Sequence, residues 1–231
     1  FNFSGRIAKI YVNEGNDTFT ELPGTNFPGL SHSSAEWGDY DNDRDLDLIV
    51  TGNDGEKATL LVYENTVGRT SSTTPFEVDS SVLQFLQGVE FSATALIDID
   101  ADGDLDLVVA VFGGPLQGQI LYLENDGELN FTDYELMKIS GAIHVPVGDF
   151  DADGDLDFAA LVSQEEEEVI AFENPGDGFV NAKRHWIFSS SNFDLGTAGM
   201  VATDLDQDGD QDFLIAIGDN LELLNNAAQP W

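Results

Sequence analysis

Cysteine is absent from the 231 residues. That removes thiol nucleophiles, Cys-based zinc sites and disulfide staples together. Basic residues are nearly as scarce, with 8 Lys+Arg against 44 Asp+Glu, a formal charge of −36. A chain so acidic repels phosphate backbones and anionic lipid surfaces, which excludes nucleic-acid binding and membrane attachment through a basic patch. No apolar run approaches the roughly 18 residues of a spanning helix, so membrane insertion is not expected. Disorder is not expected from what remains: 42 % of residues are hydrophobic, and 16 Phe, 5 Tyr and 3 Trp are gathered in short apolar stretches. The chain opens at Phe1 without an initiator Met, which suggests a removed leader or a piece of a longer protein.

One segment recurs four times: Asp39–Asp47 (DYDNDRDLD), Asp98–Asp106 (DIDADGDLD), Asp149–Asp157 (DFDADGDLD) and Asp204–Asp212 (DLDQDGDQD). The starts lie 59, 51 and 55 residues apart, longer than a WD40 blade and close to a kelch blade. Each acidic segment is flanked by apolar stretches. Ser34–Gly38, Ser92–Ile97, His144–Gly148 and Met200–Thr203 precede the four. Leu48–Thr51, Leu107–Phe112, Phe158–Val162 and Phe213–Ile217 follow them, and their Val, Ile, Leu and Phe content reads as buried strand. A third strand is predicted at Ala58–Glu64, Gln119–Glu124, Glu168–Glu173 and Asn220–Asn225, ending in turns such as ENDG and ENPGDG. A fourth starts near an aromatic, as at Phe131 and Phe179. Ile7–Asn13 and Thr18–Leu22 match the third and fourth strands alone, so the chain opens in mid-unit.

Helical periodicity is not convincing anywhere, and the expected fold class is all-β. Four-stranded units repeated about an axis make a β-propeller, which leaves only short protected sheet edges. The strand tally fits about four blades plus an overhanging strand, or an arc of a larger propeller. The whole chain, 1–231, is read as one domain with units at 1–33, 34–91, 92–142, 143–198 and 199–231.

The acidic segments carry the chemistry. Asp stands at positions 1, 3, 5, 7 and 9 of each: Asp39, Asp41, Asp43, Asp45 and Asp47; Asp98, Asp100, Asp102, Asp104 and Asp106; Asp149, Asp151, Asp153, Asp155 and Asp157; Asp204, Asp206, Asp208, Asp210 and Asp212. Five carboxylates within nine residues repel one another unless a cation neutralises them. Hard oxygen ligands in flexible geometry suit Ca²⁺, one ion per loop, better than Mg²⁺ with its strict octahedron. An EF-hand needs an acid at position 12 between two helices, but Val50, Val109, Ala160 and Ile215 stand there. The loop must therefore close at position 9. Positions 1, 3, 5 and 9 are expected to bind through side chains and position 7 through its carbonyl, its carboxylate facing solvent. Gly103, Gly154 and Gly209 at position 6 permit the turn, whereas Arg44 must take it in the first loop. The first site is expected to be the weakest.

These residues carry a family resemblance. Leu121-Tyr122-Leu123-Glu124-Asn125-Asp126-Gly127, then Phe131-Thr132-Asp133, and the run from Gly38 through the first loop to Val50 resemble the FG-GAP/VCBS repeats also found in integrin α-subunit propellers. The resemblance implies a propeller with a calcium loop between the first two strands of each blade. It also implies an extracellular protein serving adhesion, carbohydrate binding or accessory roles in larger assemblies.

Other residues read as structural. His32, His144 and His185 sit at no ligand or triad spacing, and no catalytic constellation is visible. Glu165–Glu168 is expected to be a solvated turn and Trp37 to pack in the core, while Trp186 and Trp231 could stack on a sugar. Asn2, Asn16 and Asn130 begin glycosylation triplets. The expectation is a secreted calcium-binding propeller, not an enzyme, that recognises a glycan or protein surface through loops opposite or beside the metal sites. One alternative is a structural building block that self-associates to complete the propeller, and a second is a propeller-scaffold lyase or hydrolase.

Overall fold

The computed structural model describes residues 6–56, 58–69, 72, 74–79, 92–113, 118–128, 130–163, 167–176, 179–190, 199–207, 211–217 and 220–224. Among these there is no α-helix, and the strands form antiparallel sheets in chain order. β1 (Tyr11–Gly15) pairs with β2 (Thr18–Glu21) as a two-stranded ribbon. The first four-stranded blade is β3 (Ser31–Gly38), β4 (Asp47–Asn53), β5 (Ala58–Asn65) and β6 (Phe76–Asp79). The second is β7 (Ser92–Ile97), β8 (Asp106–Val111), β9 (Gln119–Asn125) and β10 (Phe131–Lys138).

In the third, the inner strand is broken into β11 (Ala142–His144) and β12 (Val147–Gly148), both on β13 (Asp157–Ser163). Pro146 lies in the break, where its missing N–H cannot join a ladder. β14 (Glu167–Glu173) and β15 (Lys183–Ser190) complete that blade, and β16 (Gly199–Thr203), β17 (Asp212–Ile217) and β18 (Asn220–Leu224) form the last sheet. The first strands β3, β7, β11 and β16 touch in succession. The fold is therefore propeller-type: blades follow one another with their first strands together.

The second strands are apolar at almost every position because both faces are covered. Side chains alternate across a strand, so Leu107, Val109 and Val111 of β8 pack toward the first blade with Ile49, Leu60 and Val62. Val108 and Ala110 pack the other way, with Phe158, Ala160 and Ile170 of the third blade. A further cluster joins Phe150, Ala159 and Leu161 to Phe213 and Ile215 of the last sheet. The core is thus a series of layers between neighbouring sheets.

Three expectations are corrected. Phe179 does not open a strand; it sits in a short 3-10 turn, Phe179–Asn181, buried edge-on against Tyr122 and Phe158, and its strand begins only at Lys183. Trp37 is half exposed rather than core, its ring 5.9 Å from Phe76. Glu167 is buried at 2 % exposure, within β14 opposite Ser163 and Ser190, so it is no solvated turn residue. Glu165, Glu166 and Trp231 lie outside the described residues.

Candidate metal loops

Each of the first three acidic loops leaves the inner strand and returns as the second strand, and its own carboxylates fold it. Asp41, Asp100 and Asp151 at position 3 accept the N–H two residues on, at 3.2, 3.3 and 3.2 Å. Asp43, Asp102 and Asp153 at position 5 accept from position 7 at 3.0, 2.9 and 3.0 Å. These Asx-type bonds wind the backbone into a tight coil. The coil needs positive φ at position 4 as well as position 6: Asn42, Ala101, Ala152 and Gln207 have φ of 58 to 61°. Arg44 takes the expected turn at φ 77°, where Gly103 and Gly154 have 100 and 101°. A non-Gly residue is strained there.

At position 9, Asp47, Asp106 and Asp157 are buried and grip two chain segments. One oxygen accepts the position 2 amide, from Tyr40, Ile99 and Phe150, at 3.1, 3.0 and 2.8 Å. The other accepts the amide of the Asn that ends the third strand, from Asn65, Asn125 and Asn174, at 2.8, 2.9 and 2.8 Å. Burial drives these carboxyls upward, Asp47 to about 6 and Asp106 and Asp157 to about 7, although the amide bonds oppose the shift. Asp212 repeats the position 2 contact with Leu205 at 3.0 Å.

Position 1 is where the loops ask for a cation. One oxygen of Asp39 and of Asp149 accepts the position 6 amide, at 3.0 and 3.1 Å. The other, Oδ1 in Asp39, Asp98 and Asp149, is buried with no hydrogen-bond partner. A buried carboxylate oxygen without a donor is costly unless a positive charge meets it. Three groups have ligand atoms close enough to share one ion: Asp39, Asp41 and Asp43; Asp98, Asp100 and Asp102; Asp149, Asp151 and Asp157. The donor set is all carboxylate, which fits a hard divalent cation. Burial first, then the neighbouring position 5 charge, raises Asp41, Asp100 and Asp151 above the ordinary aspartate value.

The position 7 carboxylates do not simply face solvent. Asp45, Asp104 and Asp155 are half-buried, and a Cβ on Gly127 would lie 2.5 Å from Asp104 Oδ2. In the fourth loop Asp204 and Asp206 are exposed, whereas Asp208 and Asp210 lie outside the described residues.

Sequence reasoning treated the Glu-Asn pairs ending the third strands as turn signals only. Glu64, Glu124 and Glu173 each stand close enough to the position 3 aspartate of their own blade to add to its upward shift. The following Asn is a loop brace: Nδ2 of Asn65, Asn125 and Asn174 donates to the position 8 carbonyl at 2.9, 3.1 and 3.2 Å. The recurrence of Glu-Asn at 64–65, 124–125 and 173–174 was the available signal.

Among the histidines, His185 Nε2 lies 2.8 Å from Glu173 Oε2, and Glu173 also pairs with Lys183, which holds its carboxyl below the usual range. His144 lines a pocket of about 380 Å³ where the inner strands meet, with Ser33, Ser34, Glu36 and Thr94. Ser34 Oγ is 3.2 Å from Thr94 Oγ1, which donates to Glu36 at 3.4 Å. Trp186 is 55 % exposed on β15. Asn16 is exposed in the β1–β2 turn, Asn130 donates its amide to Asp126, and Asn2 lies outside the described residues.

Comparison with known proteins adds two findings. A family model described as an FG-GAP-like repeat matches residues 4–50, 98–160 and 149–215. The chain is also similar in structure to a lectin of Agrocybe aegerita, described for its specific recognition of non-reducing terminal N-acetylglucosamine. The TM-score is 0.63 at 18 % identity, covering 96 % of this chain and 58 % of that one. Such a likeness speaks to fold alone, and this chain spans less than two thirds of that lectin. No curated protein matches the sequence.

Proposed function

This chain belongs to the FG-GAP-like repeat family, and from that premise we propose that it is an extracellular, calcium-stabilised propeller module that recognises a glycan or protein surface. The calcium reading is carried by one observation: in three successive loops the position 1 carboxylate keeps a buried oxygen with no hydrogen-bond partner. A bound ion meets that oxygen and cancels the repulsion of its neighbours, so cation binding and folding are coupled. The ions hold the scaffold; no catalytic step is part of this proposal.

The recognition reading draws support from the likeness to a lectin and from the pocket at the inner strands. About 380 Å³ lies within the range of small-molecule sites. Its hydroxyls and Glu36 supply donors and acceptors for a sugar, while Ile143, Val145 and Met200 supply an apolar wall. Among the described residues no Lys or Arg lines the pocket, so a neutral ligand is favoured over an anionic one.

The test is a glycan array probed with calcium-loaded protein and with an EGTA-treated control. Selective binding that disappears in EGTA supports the reading, and loss of that binding in Glu36→Gln would locate it. Silence from a protein shown to be folded removes glycans as ligands. A second reading, a building block completed by another copy, is favoured by the β1–β2 ribbon, where Tyr11 and Phe19 are 56 and 60 % exposed. Light scattering would show that assembly.

A further inference from the structure

The loops share one plan but not one electrostatic environment, and the difference lies in the turn after the third strand. In each blade the Glu-Asn pair leads into a turn with a glycine at positive φ: Gly68 at 85°, Gly127 at 74° and Gly176 at 79°. The residue after that glycine is Arg69 in the first blade, but Glu128 and Asp177 in the second and third. Arg69 is anchored there by its amide, which donates to the Thr66 carbonyl at 3.0 Å.

From this turn the Arg69 guanidinium reaches across the first acidic loop. Nη1 bonds Glu64, and Nη2 bonds Asp43 Oδ2 and lies 3.6 Å from Asp45 Oδ2. Asp43 is one of the three carboxylates that converge in this loop. Its other oxygen already accepts the Asp45 amide, so both are engaged. The side chain of Arg69 is about one-third exposed, which leaves it free to move without disturbing the core.

The second and third loops differ from the first in this respect. Among the described residues no Lys or Arg forms an ion pair with Asp98, Asp100, Asp102, Asp104 or Asp106. Beside the third loop, Lys183 pairs with Glu173 and feels Asp151 and Asp153 only through their charge.

We propose that Arg69 is the resident cation of the first loop, and that a divalent ion binds there only by displacing its guanidinium from Asp43. This rests on the calcium reading above. The charge balance follows directly. With Arg69 in place the first loop is partly neutralised and holds its shape without metal; an ion must break the charge-assisted contact of a guanidinium forked between Glu64 and Asp43 before gaining Asp43. Among the described residues the second loop has no such competitor, and the third has one at a remove. The order of Ca²⁺ affinity is therefore second loop, third loop, first loop, and Arg69 acts together with the strained Arg44 turn to make the first site a low-affinity one.

The experiment is calorimetric titration of the full chain with CaCl₂, alongside Arg69→Gln and Arg69→Lys. Arg69→Gln is expected to tighten the weakest class of sites about tenfold and leave the tighter class unchanged. It is also expected to lower the melting temperature in EGTA, because the metal-free loop loses its own counter-charge. Arg69→Lys, which keeps the charge and loses the fork, falls between. Calcium binding that Arg69→Gln leaves unchanged at every site, or weakens, overturns the proposal while sparing the calcium reading. No binding by any of the three proteins overturns the calcium reading itself.

Discussion

Asn125 donates its side-chain amide to the backbone carbonyl of Tyr40 at 3.0 Å, across 85 residues and one blade boundary. The same amide also bonds Leu105 in its own loop at 3.1 Å, and its carbonyl accepts from Gly127 at 3.2 Å. Asn174 repeats the arrangement one blade on, donating to Ile99 at 2.7 Å. Tyr40 and Ile99 are position 2 residues whose side chains are plugged into the apolar layer toward the next blade. The Asn therefore fastens a loop to its own third strand and to the preceding loop at once, so that geometry at one candidate metal site is mechanically tied to the next.

Replacing Asn125 by Ala should cost about 2–4 kcal/mol, since it removes the side-chain donor to the buried Tyr40 carbonyl and to the half-buried Leu105 carbonyl. Urea unfolding measures it. A loss below about 0.5 kcal/mol, the size of an ordinary surface substitution, would mean that the clamp is dispensable.

Phe150 sits at position 2 of the third loop, fully buried, with its ring centroid 4.9 Å from that of Phe213. Phe150→Ala should destabilise by about 3–5 kcal/mol, as truncation of a core aromatic does. The expected signature in denaturant is a lower midpoint, and an unchanged midpoint would mean that the Phe150–Phe213 contact does not hold the third blade to the last sheet.

Calcium should raise the melting temperature. A site held at about 100 times its dissociation constant contributes about 2.7 kcal/mol. At roughly 2–4 °C per kcal/mol for a chain of this size, several sites together are readily seen by scanning calorimetry. Asp98→Asn is expected to remove more of this gain than Asp39→Asn, because Arg69 already offsets the first loop. Equal losses would count against that ranking, and no calcium effect at all would count against the metal loops.

The metal-free protein should become more stable as pH falls from 8 toward 5. Asp106 and Asp157 are pushed up to about 7 by burial, above the ordinary aspartate value of the unfolded chain. Between those two values the folded state holds protons that the unfolded state has released, so stability declines as pH rises through about 7. Saturating calcium should flatten or reverse the trend by favouring the ionised loops. Melting temperatures in EGTA and in calcium across this range decide it, and a metal-free protein that weakens steadily on acidification would refute the assignment.

Much of this was legible locally. The second strands announce themselves as apolar runs because both their faces are covered, and the nine-residue loops because alternate carboxylates can fold only around their own amides or a cation. Even the first-loop exception was visible in Arg44, which indeed takes positive φ. Position 4 was not: Ala101 and Ala152 adopt φ near 60° with nothing in the residue type to announce it. There the loop's hydrogen bonds override intrinsic preference.

What the sequence by itself determined is the repeated unit, its strand order and the placing of acids at loop positions 1, 3, 5, 7 and 9, since each depends on neighbours a few residues apart. Only the tertiary structure decided that Asn125 reaches Tyr40, that Arg69 lies on Asp43 and that Glu167 is buried. Those relations depend on how far one blade turns against the next and where a turn projects its side chain. No period in the chain encodes that, because the packing of apolar layers between sheets sets it.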